Sequence, residues 1–380
     1  MEKADYLILG GGIAGTAAAE TLREADQRAK IVILEDEPHV LYSRVMIPKY
    51  LKGLIPRENL FLRNIGDYEK RALDFYPSTK AVKIDFARRE VRAETGLAVS
   101  YKKLLIASGG RPRPPPEPFL SAAASAKILR MHTLEDADLI KKELASGAHQ
   151  SALVAGESFI ALEFIEILSL AGVGVHIAAK GDVWGEERFG KACGELLEEN
   201  FKKHGIVIHK NTEDFLFKTS LVCLGIGLSS GLNIFPGLEV GSGVLTDEFL
   251  KTSDSNTFAA GDVAEFFDVV LGKKRIVGNW TNAFLQGKTA ALNMAGGGKI
   301  FRAVSAYNIS NLGLRLTALG DTAGFDEEKI ISGENNCARL LFVAGRLVGA
   351  TLINRFNDKI ILSELIEKGA NRDETSKIFS

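Results

Sequence analysis

The stretch Tyr6-Leu7-Ile8-Leu9-Gly10-Gly11-Gly12-Ile13-Ala14-Gly15 decides the fold. Four apolar residues predict a strand buried on both faces, and the glycines after them end it in a tight turn. Thr16 to Ala25 then reads as a helix and Lys30 to Leu34 as a second buried strand, which completes a βαβ unit. The glycines serve three purposes. Gly10 permits the turn, Gly12 lets the backbone approach a pyrophosphate, and Gly15 allows close helix packing. Ala14 lies in the turn just before the helix, whose N-terminal amides and positive dipole favour phosphate. Glu35, one residue beyond the second strand, is placed to accept ribose hydroxyls. A glycine-rich turn alone also suits a purely structural bend; strand, turn, helix and acid in this order point to a dinucleotide.

A comparable unit recurs at Ser151 to Ala155, Gly156 to Ala161, Leu162 to Ala171 and Gly174 to Ala178. Between the two, Arg111-Pro112-Arg113-Pro114-Pro115-Pro116-Glu117-Pro118 holds half of the ten prolines, which predicts a stiff extended strap. Towards the end, Leu340 to Val343 and Leu347 to Leu352 flank Ala344-Gly345-Arg346, a hairpin signature. Asn357 or Asp358 caps a helical pattern that reaches Lys368, with Gly369 beyond it. The expected class is α/β, with two Rossmann-like three-layer dinucleotide domains and a small α+β C-terminal domain. The boundaries fall at 1–112 and 243–303 for the first domain in two parts, 113–242 for the second and 304–380 for the last.

A chain of 380 residues exceeds one ordinary core, in keeping with several domains. The formal net charge of -1 gives no field to draw in nucleic acid or an anionic membrane. Phe159 to Ala179, the most apolar long stretch, is interrupted by Glu163, Glu166, Gly172 and Gly174, so a buried helix and strand are expected rather than a membrane span. The start lacks a secretory pattern, which predicts a cytoplasmic protein. Cys193, Cys223 and Cys337 stand far apart without a CxxC pair, and read as ordinary small core residues in a reducing compartment. The six histidines lack paired ligand spacing, so no metal is expected.

With these motifs the sequence resembles the pyridine-nucleotide-dependent flavoprotein reductases, which include rubredoxin and ferredoxin reductases, NADH oxidases and the flavin portion of nitrite reductase. The resemblance implies FAD in the first domain. Leu105 to Pro112, with Ala107, Ser108 and Gly109, looks like the family's segment returning from the FAD domain. Thr257 to Val263 looks like its second FAD motif, with Gly261 and Asp262 at the pyrophosphate and ribityl chain. Tyr42 to Lys49 is similar to the stretch beside the flavin ring and sets Arg44 and Lys49 there. Gly278-Asn279-Trp280-Thr281, with Gln286-Gly287, resembles the helix start facing the pyrimidine side. No cysteine stands between Tyr42 and Lys49, which implies flavin chemistry without a thiol.

The second fingerprint departs from the pattern. Gly156, Ser158 and Ala161 occupy the three glycine places, and Glu163 keeps the glutamate that follows; Lys49 and Glu163 are the catalytic candidates. A serine side chain stands where backbone would meet pyrophosphate, and Glu157 adds negative charge nearby. Ala179 replaces the acid after the second strand and Lys180 follows, a change that favours NADPH over NADH. The implied activity is hydride transfer from NAD(P)H to FAD and electron delivery to a small carrier protein, of the rubredoxin or ferredoxin type, or to oxygen. The alternative is a flavin-bearing electron-transfer subunit of a larger complex whose nicotinamide site has decayed. A homodimer is what the resemblance suggests.

Overall fold

In the computed structural model, residues 1–115, 126–210, 219–232 and 235–379 are described. Pro116 to Pro118 of the strap lie outside them. Two compact units form, one of residues 1–45, 57–111 and 229–303, the other of residues 46–56, 112–228 and 304–380.

The first unit is built on a sheet ordered Leu73–Tyr76, Ile31–Leu34, Glu2–Leu9, Ala98–Ile106, Glu90–Ala93 and Ala81–Asp85. Thr257–Ala259 also pairs with the far half of Ala98–Ile106. The strands around Glu2–Leu9 run parallel, and an antiparallel meander closes one edge. Alternation along the central strands makes two layers of core. Ile8, Ile31, Ile33 and Leu105 pack under the helices Ile13–Ala25 and Trp280–Met294, whereas Leu7, Leu9, Val32 and Leu104 join Val91, Val99 and Ala259 on the opposite face. The two helices meet closely because Gly287 presents no side chain to the Ala14 carbonyl.

The second unit holds a five-stranded, wholly parallel sheet in the order Val207–Lys210, Gly174–Ala179, Ser151–Ala155, Leu221–Leu224 and Lys127–Leu129. Helix Phe159–Leu170 connects its first two fingerprint strands. The same unit carries an antiparallel sheet ordered Ala306–Asn311, Leu314–Gly320, Arg346–Ile353, Asn336–Val343 and Glu327–Gly333. Its hairpin turns at Ala344 and Gly345, both with positive φ, the pair of conformations a two-residue turn of matching twist demands. The last long helix, Lys359–Lys368, ends at left-handed Gly369. It starts later than Asn357 because a 3-10 turn, Phe356–Asp358, precedes it and the Asp358 carboxylate accepts from Arg355 Nε at 2.6 Å instead of capping.

The cysteines correct the sequence reading. Cys193, on helix Lys191–Lys203, and Cys337, on strand Asn336–Val343, form a disulfide with Cα atoms 5.8 Å apart. Only Cys223 is a free buried thiol. Spacing along the chain hid the pair because 144 residues separate its halves, and the inference of a reducing compartment loses its premise.

Candidate nucleotide sites

The first fingerprint shows what its glycines are for. Gly10 has φ of 104°, and a Cβ on it would collide with the Ala107 carbonyl; one on Gly15 would collide with the Gly10 carbonyl. Those two are demanded by the fold. Gly12 is not: its backbone is extended, at φ -64°, and a Cβ there would meet nothing within 4 Å. Its missing side chain makes room for something outside the chain, in front of the N-terminus of Ile13–Ala25, and FAD pyrophosphate fits that cradle.

Gly261 and Ala107 lie against residues of this cradle. Gly261, at φ 83°, lies against Ala14, where a Cβ would approach its methyl to 3.3 Å. Gly261 N donates to Gln286 Oε1 at 2.7 Å, while the Gln286 Nε2, fully buried, has no partner among the described residues. Gly278 faces the Asp262 carboxyl, where an added Cβ would make ordinary contact at 3.7 Å, and Asn279 caps helix Trp280–Met294 by accepting from Asn282 N at 2.8 Å. Thr281 is exposed and Trp280 half-buried in its first turn. Ala107 is buried against Gly10, with exposed Ser108 and left-handed Gly109 following.

Charge is concentrated here. Burial pushes the Asp262 carboxyl up to about 6, although Arg44 pulls the other way. Burial also raises Glu35, against the Glu37 and Gly11 amides that donate to its oxygens. Arg44 pairs with Glu37, which also accepts from Tyr42 Oη at 2.7 Å. Sequence reading passed over Glu37, two residues from Glu35, because no motif names it.

In the second unit Gly156 repeats Gly10: φ is 110°, and a Cβ would strike the Gly225 carbonyl. Ala161 is accommodated because the residue opposite it is Gly225, whose own Cβ would come within 2.8 Å of the Ala161 methyl. Ser158 turns its hydroxyl inward and accepts from Ala161 N at 3.2 Å, so it serves as an N-cap. Phe159 lies against Tyr307, ring centroids 4.3 Å apart and planes tilted by 30°, and burial together with the Glu163 charge pushes the Tyr307 hydroxyl up to about 12. Lys180 donates its amide to Glu157 Oε1 at 3.1 Å.

Glu163 and Lys49, the two catalytic candidates, are not joined to each other. Glu163 accepts from Lys52 Nζ at 3.0 Å, and Lys52 also bonds Glu166, whose other oxygen accepts from Leu312 N at 2.8 Å. All three charged side chains are nearly buried, at 11%, 11% and 14% exposure for Lys52, Glu163 and Glu166. Burial raises Glu163 while Lys52 opposes the shift. Lys49 is exposed, and its carbonyl accepts from Leu54 N. Lys52 was invisible to motif reading because the motif ends three residues earlier. Among the described residues no group of three or more His, Cys, Asp or Glu side chains could hold a metal ion.

The model of the pyridine nucleotide-disulphide oxidoreductase family matches residues 4–287. The chain belongs to that family. Nitrite reductase [NAD(P)H] of Bacillus subtilis is 24% identical over the whole chain, which spans 49% of that protein's length. Putidaredoxin reductase of Pseudomonas putida is 26% identical over 77% of the chain and 74% of its own. Among solved structures, NADH:rubredoxin oxidoreductase from Clostridium acetobutylicum superposes with a TM-score of 0.84 at 22% identity, covering 98% of this chain and 97% of that one. The oxidoreductase fold is thus common to the whole length, with its two Rossmann-like domains and C-terminal domain. No helix among the described residues is long and apolar enough to cross a membrane.

Proposed function

We propose that the protein is an NAD(P)H-dependent FAD oxidoreductase that delivers electrons to a small carrier protein or to oxygen. The observation that carries this reading is Gly12, a glycine that neither the backbone angle nor any neighbour requires. FAD, when bound, supplies the chemistry of accepting a hydride and releasing electrons singly or in pairs. The chain's own residues bind and orient it. Gly10, Gly12, Ala14 and Gly15 receive the pyrophosphate, Glu35 the ribose, and Asp262 the ribityl hydroxyls. Assignment of Arg44, Lys49, Ala107, Ser108, Gly109, Gly261, Asn279, Trp280 and Thr281 to the flavin, and of Gly156, Ser158, Glu163 and Lys180 to the nicotinamide nucleotide, belongs to this proposal. So does the domain division at residues 112, 242 and 303.

We further assign Cys193 and Cys337 a structural rather than a redox role. They are 0% and 1% exposed, beyond the reach of a substrate. The reaction then runs without a thiol. A second reading, a flavin-bearing subunit of a larger complex, draws on Ser158 at the pyrophosphate place and on the half-length match to nitrite reductase. Anaerobic addition of NADH or NADPH to the purified holoprotein separates the two. Bleaching of the flavin absorbance supports the reductase; an unchanged spectrum with both donors rejects it.

A further inference from the structure

The two fingerprints can be laid on each other by register. Ile8 pairs with Ile33 in one sheet as Val154 pairs with Ile177 in the other, so Gly156 corresponds to Gly10, Glu157 to Gly11, and Ala179 to Glu35. In the first unit the acid stands after the second strand and reaches back, Glu35 accepting from Gly11 N. In the second unit the same bridge is built from the other side. Glu157, in the turn, accepts from Lys180 N, one residue past Ala179.

Sterics set the two arrangements against each other. A Cβ on Gly11 would lie 2.7 Å from the Phe75 ring and 2.9 Å from Glu35 Oε2, so a side chain in the turn crowds the space in which the glutamate after the strand stands. Ala179 vacates that space and Glu157 fills it. We infer that Glu157 is the carboxylate that receives the adenosine ribose hydroxyls in the second site, and that it makes the site select NADH over NADPH. This rests on the proposal that the second unit binds a nicotinamide nucleotide.

The chemistry follows from charge. A carboxylate accepts two hydroxyls of an unmodified ribose and repels a 2′-phosphate. Two cations lie near, Lys180 and Arg188. Lys180 contributes its backbone amide to the carboxylate, and Arg188, set over the Phe159 ring at 5.9 Å, feels the charge of Glu157. The replacement of the strand-end acid by Ala179 and Lys180 therefore does not turn the site towards NADPH, contrary to what those two residues suggest in isolation.

Calorimetry on the holoprotein with NAD+ and NADP+, which do not reduce the flavin, tests this. The wild-type protein should bind NAD+ at least about tenfold more tightly, since a charged hydrogen bond is gained with one ligand and a repulsion met with the other. Glu157→Gln, which keeps the shape, and Glu157→Ala should each weaken NAD+ and bring the two dissociation constants within roughly threefold. Equal or tighter binding of NADP+ by the wild type, or a preference untouched by both Glu157 variants, overturns the inference while the nucleotide-binding proposal stands. Failure of both nucleotides to bind removes both.

Discussion

Asp262 illustrates what a cofactor site costs the flavin-free chain. Its carboxyl titrates at about 6 in the folded protein because burial disfavours the charge, against 3.8 for an exposed aspartate. The folded state thus holds the proton more tightly than the unfolded one. The stability this contributes is complete below about pH 4 and is lost as pH rises through about 6, a span of up to about 3 kcal/mol. Asp262→Asn should therefore raise the melting temperature of the flavin-free protein by a few degrees at pH 7.5 and leave it unchanged at pH 4. A gain of equal size at both pH values would show that the charge is not the cause. Gly12 gives the complementary case. Since no described residue lies within 4 Å of a Cβ placed on it, Gly12→Val should fold with near-native stability yet lose the flavin, read as the ratio of visible to ultraviolet absorbance. Full flavin occupancy in that variant would misplace the pyrophosphate.

At the scale of elements, each fingerprint is a strand, a turn and a helix held at close approach by missing side chains. In the second unit one such approach is at Gly225, where an added Cβ would come within 2.6 Å of Ala161 N. Gly225→Ala should push the helix Phe159–Leu170 off the sheet and cost roughly 1–3 kcal/mol, measured by denaturant unfolding, as overpacking does elsewhere. A neutral result would mean that the helix tolerates a shift. The turn, the helices and Glu35 were legible in the sequence because they are local: a period of two, then glycines, then a period of 3.6. Gly225, Lys52 and the Glu157 bridge were not. Lys52 meets Glu163 across 111 positions and Glu157 meets Lys180 across 23, and no local pattern encodes such meetings. The cap at Ser158 was not legible either: backbone spacing placed the residue, and only side-chain orientation settled the bond its hydroxyl accepts from Ala161 N.

The second unit as a whole joins a parallel sheet to an antiparallel one, and the ties between them are specific. Asn311 Nδ2 donates to Leu162 O at 2.5 Å, Asn200 Nδ2 to Leu312 O at 3.2 Å, and Leu312 N to Glu166. The Cys193–Cys337 disulfide makes this junction covalent, and because it closes a span of 144 residues it restricts the unfolded chain strongly. Chain entropy sets an upper limit of about 5 kcal/mol on that stabilisation, and native-state adjustments reduce it. Denatured protein kept free of reductant should accordingly titrate one thiol, Cys223, and three after reduction. Cys193→Ala with Cys337→Ala should lower the melting temperature and abolish its dependence on reductant, yet leave flavin reduction by a nicotinamide within a few-fold of wild type in protein that remains folded. Both cysteines are buried, at 0% and 1% exposure. Three thiols in the unreduced denatured protein would refute the cross-link; loss of turnover in a folded double variant would instead make the pair part of the chemistry.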